Sequence, residues 1–184
     1  YFPRVYAFDP GWNCTAALWA AIDRDNDIVY LYSEYKRGQA EPAVHADAIK
    51  ARGDWIPGVS DPAARASSQK DGEKLLDKYR ELGLKLRLAD NAVEAGLLDV
   101  FHRMTSGRLR VFASLVEWLA EFRLYRRDEK GKVVKENDHL MDDTRYLIRS
   151  GIAIAKDMPI DLYEQHKKRK QNTRQAAEWS PFDN

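Results

Sequence analysis

The spacing of apolar and polar positions changes period repeatedly along the chain, and each change marks an element. Residues 1–8 form an apolar run that ends at Asp9, and Pro10-Gly11 turns the chain directly after it. An apolar run at 15–22, a turn rich in Asp and Asn at 23–27 and a run rich in β-branched and aromatic residues at 28–35 predict an antiparallel hairpin. Gly38 ends this unit, and Pro42 stands where helices start, with Val44, Ala48, Ile49 and Ala51 forming a short helical face that stops at Gly53. A strand then delivers Asp61. Over 71–82, Leu75, Leu76, Tyr79 and Leu82 recur at helical intervals before Gly83, and residues 84–88 alternate strictly as a strand does. A helix is expected over 92–104, a strand over 109–112 and a helix over 116–122. Residues 124–135 read as a polar hairpin turning at Asp128-Glu129-Lys130-Gly131. A last helix covers 139–156, and the basic segment beyond Pro159 is expected to be loosely ordered. The order implies an α/β domain over 1–158, with three antiparallel strands and then parallel ones in a mixed sheet covered by helices, followed by a basic tail over 159–184.

Length and composition bound the function. A chain of 184 residues with net charge +1 suits one domain with a full core. No apolar stretch approaches the roughly 20 residues that span a bilayer, and no signal-peptide pattern opens the chain. The expectation is a soluble intracellular protein with no membrane partner. The single Cys14 excludes an intramolecular disulfide and a thiolate zinc cage, and it is expected to pack as a small hydrophobe. Opening on Tyr1 at a strand suggests a domain cut from something longer. With so little net charge, contact with nucleic acid must rest on local groups: Arg123, Arg126 and Arg127, or the run His166-Lys167-Lys168-Arg169-Lys170, which reads equally as a solvated surface. No phosphate-binding Gly-x-x-x-x-Gly-Lys loop and no Gly-x-Ser-x-Gly elbow is present.

The candidate chemistry lies in separated acids. Asp9 and Asp61 each end a strand and precede a Pro turn; a third cluster holds Asp138, His139, Asp142 and Asp143 at a helix start. Each also has a plain reading, as turn initiator or helix cap. Together they suggest a site for a divalent metal such as Mg²⁺, which prefers hard oxygen ligands. Three carboxylates can hold two ions about 3.5–4 Å apart, the equipment of phosphodiester hydrolysis. His139 and Asp142 share a helical face, whereas Asp143 points about 100° further round and is expected to pair with a neighbour or face solvent. His45 and His102 read as ordinary surface or core histidines.

Five short blocks in order carry a resemblance: Phe8-Asp9-Pro10-Gly11 with Thr15; Ser60-Asp61-Pro62-Ala63-Ala64; Asn91-Ala92-Val93 with Ala95-Gly96; residues 115–125; and Asn137-Asp138-His139-Leu140-Met141-Asp142 with Arg145-Tyr146-Leu147. They resemble the C-terminal nuclease domain of phage terminase large subunits. The resemblance implies a ribonuclease H-like fold with an added β-hairpin. It also implies an endonuclease that uses Mg²⁺ or Mn²⁺, two ions, to cut concatemeric double-stranded viral DNA when packaging starts and ends. The implied metal ligands and catalytic residues are Asp9, Asp61 and Asp142, with His139 and Asp143 accessory; spacing to Arg145-Tyr146 favours Asp142 over Asp143. Implied partners are the N-terminal ATPase domain of the parent chain, the small terminase subunit and the portal protein, in the host cytoplasm. DNA phosphates are expected on Arg126, Arg127 and Lys132 and on the tail's Lys167, Lys168 and Arg169. The alternatives are a resolvase- or transposase-type nuclease, a sugar-kinase or actin-like nucleotide-binding domain, and a non-catalytic docking module.

Overall fold

The computed structural model describes residues 2–61 and 71–178. Strand β1 (Arg4–Asp9) decides the layering: Val5 and Ala7 are buried on one face and Tyr6 and Phe8 on the other. A strand buried on both faces belongs inside a sheet covered on both sides. The sheet order is β5-β4-β1-β2-β3-β6. β1 pairs antiparallel with β2 (Thr15–Asp23), which pairs antiparallel with β3 (Ile28–Arg37) through a register shift at Trp19/Ala20. β4 (Gly58–Ser60) runs parallel to β1, β5 (Leu86–Leu88) parallel to β4, and β6 (Leu109–Val111) parallel to β3. This is the expected mixed sheet. Gly58 is required where β4 meets β1, because a Cβ there would lie 2.4 Å from the Tyr6 ring.

Helices cover the two faces. On one face Tyr6, Phe8, Ala17 and Trp19 pack with Ala46 and Ile49 of α1 (Pro42–Lys50) and Leu76 and Tyr79 of α2 (Asp71–Glu81). On the other, Val5, Ala7, Leu18, Leu31 and Val59 pack with α4 (Val116–Leu124) and α5 (His139–Tyr146) through Trp118, Leu140 and Met141. Full burial of each large apolar side chain contributes about 1.5–3 kcal/mol. α3 (Val93–Thr105) lies against α5, which continues through a π-helical turn, Leu147–Gly151, into α6 (Ile152–Ile154). Side chains from other elements cap two of these helices. Glu34 of β3 accepts the amides of Glu117 and Trp118 at 3.0 and 2.9 Å, and Glu121 of α4 accepts the amide of Leu140 at 2.7 Å. Each satisfies orphan N–H groups that the first turn of a helix leaves open.

Two expectations change. As far as it is described, the segment after Pro159 is a helix rather than loosely ordered: α7 runs Ile160–Glu178, and residues 179–184 lie outside the described residues. Its sequence is polar but holds no Gly or Pro and is rich in Lys, Arg, Gln, Glu and Ala, which favour helix whatever the hydropathy. The hairpin at 124–135 is present but minimal, with one antiparallel bridge, Arg127↔Val133, and a turn closed by Gly131 N–H on Asp128 O at 2.9 Å. Its arms are largely exposed and have little apolar surface to bury, so they do not extend as strands. Among the described residues no helix is long and apolar enough to cross a membrane.

Candidate metal centre

Side chains alternate along a strand, so Asp9 faces the same way as Val5 and Ala7, and Asp61 the same way as Val59. Those residues face α5. Pairing of Phe8 with Ser60 sets the two aspartates at neighbouring parallel strand ends, where the Asp61 amide donates to Phe8 O at 3.3 Å. The Pro62-Ala63-Ala64 part of that block lies outside the described residues. Below Asp9 the turn is braced by Thr15 Oγ1, which donates to Gly11 O at 2.8 Å.

α5 brings the third acid, and here the expectation for Asp143 is overturned. It neither faces solvent nor pairs with a neighbour: it is 0% exposed, and neither carboxylate oxygen has a hydrogen-bond partner. Asp143 lies three residues after Leu140 and four before Leu147, both fully buried, so it belongs to the stripe that meets the sheet. Burial pushes its pKa up, and Asp9, Asp142 and Glu121 add to the rise, with only His139 opposing. A buried carboxylate among like charges is strongly unfavourable unless a cation joins it.

The other groups are already engaged. His139 Nδ1 donates to Asp9 Oδ2 at 2.7 Å, and this bond, with the Cys14 thiol beside it, pushes the imidazole up to about 10. It is therefore an imidazolium at neutral pH. Cys14, expected to pack as a small hydrophobe, sits partly exposed in the turn before β2, against His139. Asp61 Oδ1 accepts the Tyr146 hydroxyl at 2.7 Å; burial first, then Asp61, raises the phenol's pKa and keeps it a donor. Arg145, 1% exposed, donates from Nη2 to Asp142 Oδ1 at 3.0 Å and to the Tyr146 oxygen at 3.2 Å. Gly96 makes room for it, since a Cβ there would lie 2.4 Å from Arg145 Cγ. Asp142 Oδ2 takes Lys135 Nζ at 2.6 Å. His139 thus bonds Asp9 and not Asp142, whose face it shares. Among the described residues no three Asp, Glu, His or Cys side chains form a ready-made cage.

The basic groups divide. Arg126 and Lys132 are exposed on the hairpin, and Arg127 is held by Glu94 at 3.0 and 2.8 Å. Lys167, Lys168 and Arg169 are exposed on α7, with Lys168 and Arg169 in a cleft with Trp55, just ahead of the start of β4. The acids leave the opposite ends of β1 and β4, so the tail run is not brought to them. His45 is a buried core histidine on Tyr35 OH at 2.7 Å and Ala40 O at 3.1 Å, and His102 is exposed.

Residues 6–150 match the family model described as the terminase RNaseH-like domain. The chain belongs to this family. It is 34% identical over 157 residues to the terminase large subunit of Salmonella phage P22, covering 79% of this chain and 31% of that protein. The chain spans about a third of the length of the curated relatives it matches. The structure of the P22 large terminase nuclease domain superposes with a TM-score of 0.78 at 31% identity, over 84% of each chain. The Mn-bound large terminase nuclease domain of bacteriophage SPP1 shares the fold, with a TM-score of 0.54 at 16% identity over 79% of this chain and 83% of that one. In this terminase domain Lys135, Tyr146 and Glu121 are functional candidates that composition and spacing did not single out.

Proposed function

We propose that this domain is a Mg²⁺- or Mn²⁺-dependent endonuclease that cuts concatemeric double-stranded viral DNA at the start and end of genome packaging. The observation that carries the reading is Asp143. A fully buried carboxylate without a partner, surrounded by Asp9, Asp142 and Glu121, is a poor structural element and a good cation ligand. Family membership and the likeness to the P22 nuclease domain support the same reading. Asp9, Asp61 and Asp143 would hold the metal, with Asp142 beside them. A bound divalent ion supplies Lewis acidity at phosphorus and a hydroxide-like water at neutral pH.

The chain's own residues prepare that chemistry. The His139 imidazolium orients Asp9, the Tyr146 hydroxyl orients Asp61, and Arg145 ties Tyr146 to Asp142, so the acids are fixed by a supporting layer on α5. Preset geometry of this kind lowers the reorganisation needed at the moment of reaction. Arg126 and Lys132 project from the hairpin whose returning arm reaches Asp142, where they can meet DNA phosphates without reading bases. In the reaction a water oxygen adds to phosphorus, one P–O ester bond breaks, and the departing oxygen takes up a proton. The reading extends to an N-terminal ATPase domain in the parent chain, to a small terminase subunit and portal protein as partners, and to the host cytoplasm as location. Plasmid cleavage in Mn²⁺ tests it: Asp61→Ala and Asp143→Asn should each abolish cutting. Survival of cutting in both would overturn the metal site, and absence of cutting by the unaltered chain would leave a non-catalytic docking module as the better description.

A further inference from the structure

The turn that follows Asp9 carries a tryptophan that the fold does not use. Trp12 is 64% exposed, whereas Trp19 and Trp118 are buried in the two cores. Among the described residues no ring contact or hydrogen bond engages its indole. Short turns favour Gly, Asn, Asp and Ser, so turn formation does not call for an indole here. One exposed apolar residue carries little by itself. Its backbone and its place in the fold give this one meaning.

The backbone around Trp12 is fixed on both sides. Thr15 Oγ1 donates to Gly11 O at 2.8 Å, and the Gln39 amide donates to Trp12 O at 2.8 Å. Packing is so close that a Cβ on Gly38 would stand 2.1 Å from Asn13 O, and one on Gly11 would stand 2.6 Å from Cys14 O. The indole is thus presented by a turn with little freedom, which lowers the entropy lost when it is covered. The turn lies at the acidic end of the sheet: it opens directly after Asp9, and its Cys14 lies beside His139, the partner of Asp9. β3 ends there in exposed Arg37, paired across the strands with Thr15. An aromatic plane and a cation therefore stand at the end of the sheet where a phosphate would arrive.

We propose that Trp12 is a DNA contact, its indole packing on the sugar and base of the nucleotide next to the phosphate that reaches Asp9. This rests on the nuclease reading above and adds to it an apolar hold on the strand. Phosphate contacts position DNA through charge, whereas stacking on an aromatic ring tolerates any base, because every base has a π-face. Such a contact grips the strand without reading sequence, and it persists when salt weakens the phosphate contacts.

Binding of a short DNA duplex in Ca²⁺, followed by fluorescence anisotropy of a labelled strand across a salt series, tests this. Trp12→Ala is expected to weaken binding about tenfold to a hundredfold at every salt concentration and to leave the log–log slope as in wild type. Trp12→Phe keeps a ring and should bind close to wild type. The Mn²⁺ shift in Tm should be the same in all three, because the turn is held by backbone atoms and Thr15. If the alanine variant does not fold, Trp12→Leu, apolar but without a ring, takes its place with the same expected loss. Duplex binding by Trp12→Ala equal to wild type would overturn the inference and leave a protein partner as what covers the indole. A loss of binding matched by a loss of the Mn²⁺ shift would overturn it too, by showing that the residue acts only through the shape of the turn. Both outcomes leave the nuclease reading intact while wild type cuts plasmid. Failure of wild type to bind the duplex and to cut plasmid in Mn²⁺ would overturn that reading and this inference with it.

Discussion

Removing the charge of Asp143 should stabilise the metal-free domain and abolish its response to metal. Asp143 is fully buried and unpartnered, and burial, Asp9, Asp142 and Glu121 all raise its pKa. A carboxyl whose folded pKa is raised binds more protons folded than unfolded above the ordinary carboxylate pKa. Its contribution is thus fully present below that value and is lost as pH rises toward the folded one. Asn cannot ionise, and its amide donates to the neighbouring carboxylates without having to take up a proton first. Relief of a buried polar group without partners is worth roughly 1–3 kcal/mol. For a chain of this size each kcal/mol moves Tm by about 2–4 °C. Wild type at about a hundred times the metal Kd should instead gain about 2.7 kcal/mol, and Asp143→Asn nothing. Thermal unfolding in EDTA and in Mn²⁺ across pH 6–8 reads both arms. The variant should melt higher in EDTA, and wild type should show the Mn²⁺ shift. A variant that melts lower in EDTA and keeps the full Mn²⁺ shift would refute the reasoning.

Other substitutions probe the supporting layer. Tyr146→Phe removes the hydroxyl on Asp61 and should slow plasmid cleavage about tenfold to a hundredfold, from a charge-assisted bond of about 1.5–3 kcal/mol, with the fold intact by circular dichroism. Gly96→Ala sets a methyl against Arg145; the overpacking cost of about 1–3 kcal/mol should exceed a helix-propensity gain of about 1 kcal/mol, giving a net loss in urea denaturation. Glu34→Ala uncaps α4 and should cost about 0.5–2 kcal/mol in the same assay without changing metal binding. DNA binding should weaken steeply with salt, and Arg126→Ala or Lys132→Ala should each reduce the log–log slope by about 0.9, with an unchanged slope counting against a phosphate contact.

Much of the fold was legible because it rests on period and punctuation. The three leading strands, the α2 pattern ending at Gly83 and the strand that carries Asp61 all follow from local sequence. The tail helix was not, because a helix with little apolar stripe looks like a solvated coil to hydropathy alone. Asp9 and Asp61 were legible as strand-end acids, since the parity of their strands fixes their side. Asp143 was misread because its orientation was judged from the face of His139 and Asp142, when the stripe through Leu140 and Leu147 sets which side of α5 is buried. Lys135 could not be found from spacing, because its partners are set by how a charged hairpin folds back.

The central claim is that Asp9, Asp61 and Asp143 together hold the divalent ion. A crystal of this chain soaked in Mn²⁺ and measured at the manganese absorption edge tests it directly. The expected result is an anomalous peak bound by Asp9 and Asp143, with Asp61 alongside and Lys135 still on Asp142. A peak on Asp142 with Lys135 displaced and Asp143 still unpartnered would contradict it.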